Sequence, residues 1–116
     1  MAVNLTEEQI AIRDTFARFT DEQIIPNAEA IDEAHEYPRE TVKQLAELGF
    51  VGMRYPEADG GSDVDLTTFC LCVEEIARGS MSVAGCISMQ SLMGTKFLQM
   101  LGNDDIRDRL FKPAMR

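Results

Sequence analysis

Apolar residues recur along this chain at helical spacing nearly throughout, and no segment keeps the two-residue alternation of a half-buried strand. The pattern predicts an all-α fold of about six helices. The first spans about residues 7–25. Thr6 with Gln9 three positions on is a capping-box signature, and Glu7 and Glu8 suit the positive end of a helix dipole. Ile12, Phe16, Phe19 and Ile24 give that helix its apolar face, and Pro26 stops or kinks it. A short second helix over about residues 27–35 rests on Ala28, Ala30 and Ile31. Pro38 suits the first turn of a third, which runs to about Leu48 with Val42, Leu45 and Ala46 facing inward and Leu48 beside them, and Gly49 ends it.

Residues 50–65 are rich in Gly, Pro and Asp and read as a loop. Asp65 then caps a fourth helix, whose stripe of Leu66, Phe69, Cys70, Val73, Ile76 and Ala77 follows i, i+3, i+4, i+7 spacing, with Glu74 and Glu75 outside it. Gly79 and Ser80 break that pattern. A fifth helix over about residues 82–101 differs from the rest, because its only charged residue is Lys96. A helix that is apolar all round is either buried or lines a site made with something else. Gly102 closes it. Asn103 caps a sixth helix, with Ile106, Leu110 and Phe111 inward and Pro113 marking its end.

A chain of 116 residues implies one domain over residues 1–116, long enough for a core of its own. Charge narrows the partners. Eleven basic against twenty acidic residues give a net charge of −9, a field that repels phosphate backbones and anionic lipid and so argues against nucleic acid or membrane partners. No apolar run reaches the ~18 residues of a membrane span. Residues 1–9 carry Glu7 and Glu8 and no basic cluster, unlike a secretory or mitochondrial leader, so a cytoplasmic location is expected. The three cysteines, Cys70, Cys72 and Cys86, form no disulfide framework and fit a reducing compartment. Cys70 and Cys72 stand two apart on one helix and point about 200° apart, so they cannot share a metal and read as buried thiols.

Catalytic constellations are missing. The single histidine, His35, lies in an acidic stretch and reads as a surface residue, and no serine or cysteine has a base to activate it. No metal-ligand spacing occurs. Gly60 and Gly61 lack the glycine spacing, the lysine and the preceding strand of a phosphate-binding loop. The paired acids at 7–8, 74–75 and 104–105 read as helix-start charges or solvated faces. What remains is the Gly/Pro loop and the nearly uncharged fifth helix.

At those two features the chain resembles the amino-terminal domain of acyl-CoA dehydrogenases. The likeness begins with Leu5-Thr6-Glu7-Glu8-Gln9, a long helix ending near Pro26, and the Tyr37-Pro38 step before the third helix. Its strongest part is LAELGFVGMRYPEADGG over residues 45–61, which fits the pattern L-x-x-x-G-x-x-x-x-x-x-P-E-x-x-G-G. Glu74-Glu75-Ile76-Ala77-Arg78, the close of a helix near Gly102, and the polar Asp104, Asp105 and Arg107 extend it over the whole chain.

The resemblance implies an orthogonal helical bundle that lies against a middle β-domain and a carboxy-terminal four-helix domain, with FAD and acyl-CoA held among the three. The reaction implied is α,β-dehydrogenation of an acyl-CoA thioester, in which a glutamate takes the α-proton and the flavin takes hydride from Cβ. The resemblance places that glutamate and most flavin contacts in the other two domains. On this expectation residues 1–116 carry neither the base nor a flavin site and are inactive alone. They act as an excised domain or as a split subunit whose partner supplies the rest.

By the same resemblance the fifth helix forms one wall of the acyl cavity, with Ala84, Gly85, Ser88, Met89, Gln90, Leu92 and Met93 facing the substrate. Positions 85, 89, 92 and 93 share one helix face. Relatives that take a dicarboxylyl substrate carry an arginine near the start of this helix. Ala84 occupies that position here, so this wall offers a terminal carboxylate no partner. Met89 and Met93 suit an adaptable apolar surface, and Gln90 could read a functional group. Such a face, left bare, would drive self-association. Two other readings stay open at this point: a non-catalytic helical binding module, and the equivalent domain of a flavin oxidase or monooxygenase.

Overall fold

A computed structural model describes residues 4–116, all helix, turn and coil with no strand among the described residues. Met1, Ala2 and Val3, which begin the segment read above as lacking a leader, lie outside the described residues. Helix α1 (Glu7–Phe19) opens on the expected capping box: Gln9 N–H donates to Thr6 Oγ1 at 3.2 Å, and Thr6 N–H donates to Gln9 Oε1 at 3.0 Å.

The helical path does not stop before Pro26. It widens into a π turn (Thr20–Ile24), tightens into a 3-10 turn (Ile25–Asn27) and continues as α2 (Ala28–Ala34). Proline has no N–H and its ring crowds the carbonyl four residues back, so a local change of pitch lets the chain pass it. His35 ends α2 in the left-handed region at φ 50° and is exposed, as its surroundings imply.

Helix α3 (Arg39–Glu47) buries Thr41 and Leu45, half-buries Val42 and Ala46, and leaves Leu48 exposed. Gly49, at φ 87°, turns the chain there: its N–H donates to the Ala46 carbonyl, and Phe50 N–H donates to the Leu45 carbonyl. The turn sends Phe50 into the core in place of Leu48. Phe50 meets Phe16 edge-on at 5.7 Å and Phe69 at 5.2 Å, joining α1 to α4 (Leu66–Gly79).

Asp65 caps α4, accepting Thr68 N–H at 3.0 Å and Thr68 Oγ1–H at 2.6 Å. The buried residues of α4 are Thr68, Phe69, Cys72 and Ile76, with Val73 and Ala77 beside them. Leu66 and Cys70, both placed on the inward stripe by spacing, are exposed. The real face is rotated by roughly a quarter turn, because α4 packs between α1 on one side and α5 (Met81–Met89) on the other. The thiols divide accordingly: Cys72 is buried, Cys86 half-buried and Cys70 exposed, so the expectation of uniformly buried thiols fails at Cys70. Gly79 permits a close crossing, since a Cβ there would lie 2.6 Å from Thr20 Cγ2. Arg78 braces the same crossing from outside, pairing with Asp21 and Glu75 at 2.8 Å each.

Ser80 closes α4 and caps α5 by accepting Val83 N–H at 3.3 Å. From α5 the helical path passes through a π turn (Gln90–Gly94) into α6 (Thr95–Leu101). Asn103 Oδ1 accepts Ile106 N–H at 2.9 Å and starts the last rod: α7 (Asp104–Ile106), a π turn (Arg107–Phe111) and α8 (Lys112–Ala114). That rod ends at Ala114, next to the expected stop at Pro113, with a widened turn just before the proline. Phe111 is buried as expected. Leu110, also expected inside, is exposed. The larger core joins α1, α3, α4, α5 and the loop, and a smaller one holds Tyr55, Phe111 and Met115 with Leu98 against them.

Candidate functional site: an open apolar face fixed by a buried loop

The segment after α3 looks like a surface loop in sequence, yet Phe50, Val51, Met53 and Tyr55 are all buried. Buried loop backbone needs partners, and the segment supplies its own by doubling back. Ser62 N–H donates to the Gly52 carbonyl, Asp63 N–H to Tyr55 and Val64 N–H to Met53. Gly61 allows this fold-back, for a Cβ there would stand 2.1 Å from the Tyr55 carbonyl oxygen.

Tyr55 reaches from this loop into the rod of residues 81–101. Its hydroxyl donates to the Ser91 carbonyl at 2.8 Å and lies 2.7 Å from Thr95 Oγ1. Ser91 Oγ in turn donates to the Val51 carbonyl at 3.1 Å. Burial pushes the Tyr55 phenol above its ordinary value, opposed by the Thr95 hydrogen bond and the charge of Arg54. The ring packs edge-on against Phe111 at 5.0 Å.

Charge near the rod is drawn to the loop side. Lys96 Nζ lies 5.6 Å from the centre of the Tyr55 ring and donates to Gln99 Oε1 at 2.6 Å. Asp59, mostly buried, accepts from Arg107 at 2.9 Å and from Gln99 at 3.4 Å.

The opposite side of the rod is open. Met81, Gly85, Met89, Met93, Phe97 and Leu101, four residues apart in succession, are all exposed, with Leu92 and Met100 beside them. Phe97 is 61% exposed and Leu101 79%. The residues named from sequence for the acyl wall therefore separate. Gly85, Met89, Leu92 and Met93 lie on the open face. Ala84 is buried in the core at 3% exposure, pointing away from that face. Ser88 is half-buried, and its hydroxyl is enclosed without a partner. Gln90 turns toward a cleft of about 450 Å³ that it lines with Val42, Val51, Ala114 and others.

Phe97, Met100 and Leu101 were missed as members of the face. Continuing the four-residue step beyond Met93 would have found Phe97 and Leu101. A strict α-helix overshoots by about 40° at every such step, so the face stays continuous only because the π turn intervenes.

Gly60 and Gly61 do not make a phosphate cradle. Gly60 N–H is spent on the Glu57 carbonyl and Gly61 N–H on Pro56, inside the turn. The turn does not fit a flavin pyrophosphate. No metal-binding group of three or more His, Cys, Asp or Glu occurs among the described residues. Among the same residues no helix is long and apolar enough to cross a membrane.

Comparison with known proteins bears on what this face belongs to. The family model described as acyl-CoA dehydrogenase, N-terminal domain, matches residues 6–116. Benzylmalonyl-CoA dehydrogenase of Aromatoleum aromaticum is 65% identical across all of this chain, which spans 31% of that protein. A 3-(aryl)acrylate reductase of Clostridium sporogenes is 37% identical over 96% of the chain and 29% of its own length. Among solved structures, a glutaryl-coenzyme A dehydrogenase in complex with glutaryl-CoA superposes with a TM-score of 0.89 at 27% identity, covering 99% of this chain and 30% of that one. The chain thus spans about 30% of the length of these relatives.

Proposed function

This chain belongs to the acyl-CoA dehydrogenase family, matching its amino-terminal domain, and from that premise we propose that it forms one wall of the acyl pocket in an FAD-dependent acyl-CoA dehydrogenase. The reaction is α,β-dehydrogenation of an acyl-CoA thioester. The flavin and the base that takes the α-proton are assigned to the remaining domains or to a partner subunit, and the chain alone is not competent.

The observation that carries this reading is the open face of residues 81–101, apolar on its exposed side and tied from behind by the loop. Gly85, Met89, Leu92 and Met93 are its contact residues for the acyl group. Ser88 stands at the edge, and Ala84 and Gln90 support the face from the protein side. These residues exclude water from the acyl chain and orient it. Two of the relatives bear names with an aryl-substituted substrate. Met89 and Met93 offer polarisable sulfur for an aromatic ring, which favours an aryl-bearing acyl group over a straight chain. The three free thiols suit a reducing compartment, in accord with a cytoplasmic enzyme. Left uncovered, the face drives self-association of the isolated chain.

A chimaera tests the proposal. This chain replaces the matching amino-terminal residues of the Aromatoleum aromaticum dehydrogenase, and oxidation of benzylmalonyl-CoA is followed with an artificial electron acceptor. Turnover supports the reading. A chimaera that folds and loads flavin yet oxidises no acyl-CoA contradicts it.

A further inference from the structure

The rod of residues 81–101 carries a register device. Its buried positions, Val83, Ile87, Ser91 and Thr95, repeat every four residues, as its exposed ones do. In an unbroken α-helix that spacing would drift by about 40° per step, and Thr95 would leave the side that faces the loop. The π turn at Gln90–Gly94 absorbs the drift. Its mark is the Thr95 N–H, which reaches back five residues to the Gln90 carbonyl. The Ser91 carbonyl thereby loses the partner an α-helix would give it.

The Tyr55 hydroxyl sits there instead, 2.8 Å from the Ser91 carbonyl oxygen and 2.7 Å from Thr95 Oγ1, in a buried setting. Thr95 Oγ1 also lies 2.9 Å from both the Gln90 and the Ser91 carbonyl oxygens. These two hydroxyls stand in for the amide donor that a buried carbonyl needs. Without the tyrosine hydroxyl the single Thr95 hydroxyl proton is left to serve both the Gln90 and the Ser91 carbonyls, and a return to regular α pitch relieves this by giving Ser91 the Thr95 N–H.

We propose that Tyr55 is a positioning residue: with Thr95, its hydroxyl holds the π turn open and so sets the rotation of α6 relative to α5. Reversion to α pitch removes one residue of arc and turns α6 by about 100°. Phe97 and Leu101 then leave the line of Met89 and Met93, and Leu98 leaves Tyr55, Phe111 and Met115. The loop therefore decides whether the open side of this rod is one surface or two. The use of that surface as an acyl wall rests on the function proposed above. The register lock does not, and its test uses no ligand.

Hydrogen-bond scalar couplings across N–H···O=C bonds, measured by NMR on the isotope-labelled 116-residue chain, identify the acceptor of each amide. In the unaltered chain Thr95 N–H couples to the Gln90 carbonyl carbon. In Tyr55→Phe that coupling is lost and one to the Ser91 carbonyl carbon replaces it, with chemical-shift changes running from Ser91 through Leu101. A residue that only adds stability would lower the melting temperature and leave the acceptor unchanged, so a folded Tyr55→Phe that keeps the Gln90 coupling overturns the proposal. Should Tyr55→Phe not fold, Thr95→Val and Thr95→Ser decide: a switch of acceptor in the valine variant and none in the serine variant supports the lock, and any other pattern overturns it.

Discussion

Between α3 and α4 the backbone is irregular apart from one short 3-10 turn (Glu57–Asp59), yet Phe50, Val51, Met53 and Tyr55 are all buried. Along residues 81–101 the backbone is helical from end to end, yet Met81, Met89, Phe97 and Leu101 stand in the open. The difference lies in what each segment packs against. The loop's apolar residues complete this domain's own core, Phe50 between α1 and α4 and Tyr55 against Phe111 and Met115. The rod spends one side on that core and keeps the other free. Regularity of backbone says little about burial, and an apolar residue on a regular helix can serve something other than its own fold.

Substitutions matched across the two regions sharpen the contrast. The largest effect is expected at Phe50, which is fully buried between Phe16 and Phe69. Phe50→Ala should cost about 3–5 kcal/mol in urea denaturation, a large share of the roughly 5–15 kcal/mol that holds a domain together. Phe97→Ala, the same chemical change on the open face, should stay within about 0.5 kcal/mol of the parent. Equal losses at the two positions would break the comparison.

Gly61→Ala comes next. Its Cβ would fall 2.1 Å from the Tyr55 carbonyl oxygen, so the loop must open. We expect a loss of about 1–3 kcal/mol, together with weaker amide protection at Asp63 and Val64. Gly85→Ala meets nothing within 4 Å. It should raise the melting temperature of the isolated chain slightly, because alanine favours the helix.

A smaller effect is expected at the start of α4. The Asp65 carboxyl sits below the usual carboxylate range, first because the Thr68 hydroxyl donates to it and then because Thr68 N–H does. A depressed folded pKa contributes stability above the unfolded value of ~3.9 and loses it as the pH falls through the lower folded value. Asp65→Ala should lower the melting temperature at neutral pH, and the gap to the parent should close in strong acid. A gap that stays constant with pH would show that the carboxylate is not responsible.

The smallest expected change in stability accompanies a clear chemical one. Cys70 is exposed, whereas burial, with some help from Glu75, pushes the Cys72 thiol up to about 12. Iodoacetamide at mild pH should label Cys70 and spare Cys72, with little change in melting temperature. A raised folded pKa gives stability that is complete below the free-thiol value of ~8.5 and declines as the pH climbs toward the folded value. Labelling of Cys72 should therefore require strong alkali or unfolding.

Much of this fold was legible in the sequence, because local chemistry fixes its helix starts. Thr6 with Gln9, Asp65, Asn103 and the stop at Gly49 act where they were expected to. Pro113 marks the end of the last rod to within one residue, whereas at Pro26 the helical path changes pitch, through a widened and then a tightened turn, and goes on. Spacing alone puts Leu66, Cys70 and Leu110 inside, and spacing does not report which side the neighbouring elements occupy. The open face was half legible. Met89, Leu92, Met93 and Gly85 followed from the charge-poor helix and its family resemblance, while Ala84 turned inward and Gln90 turned aside. The Tyr55 contact with Ser91 and Thr95 joins residues about forty positions apart and left no local signal.

On the proposed function, the outward side of residues 81–101 serves a neighbour rather than the fold of this chain. Urea denaturation of the triple variant Met89→Gln, Phe97→Gln, Leu101→Gln tests it most directly, since glutamine keeps good helix propensity and removes the apolar surface. A midpoint within experimental error of the parent is expected, at a concentration low enough to suppress self-association. Loss of several kcal/mol, on the scale expected for Phe50→Ala, would contradict it by placing those side chains in the chain's own core.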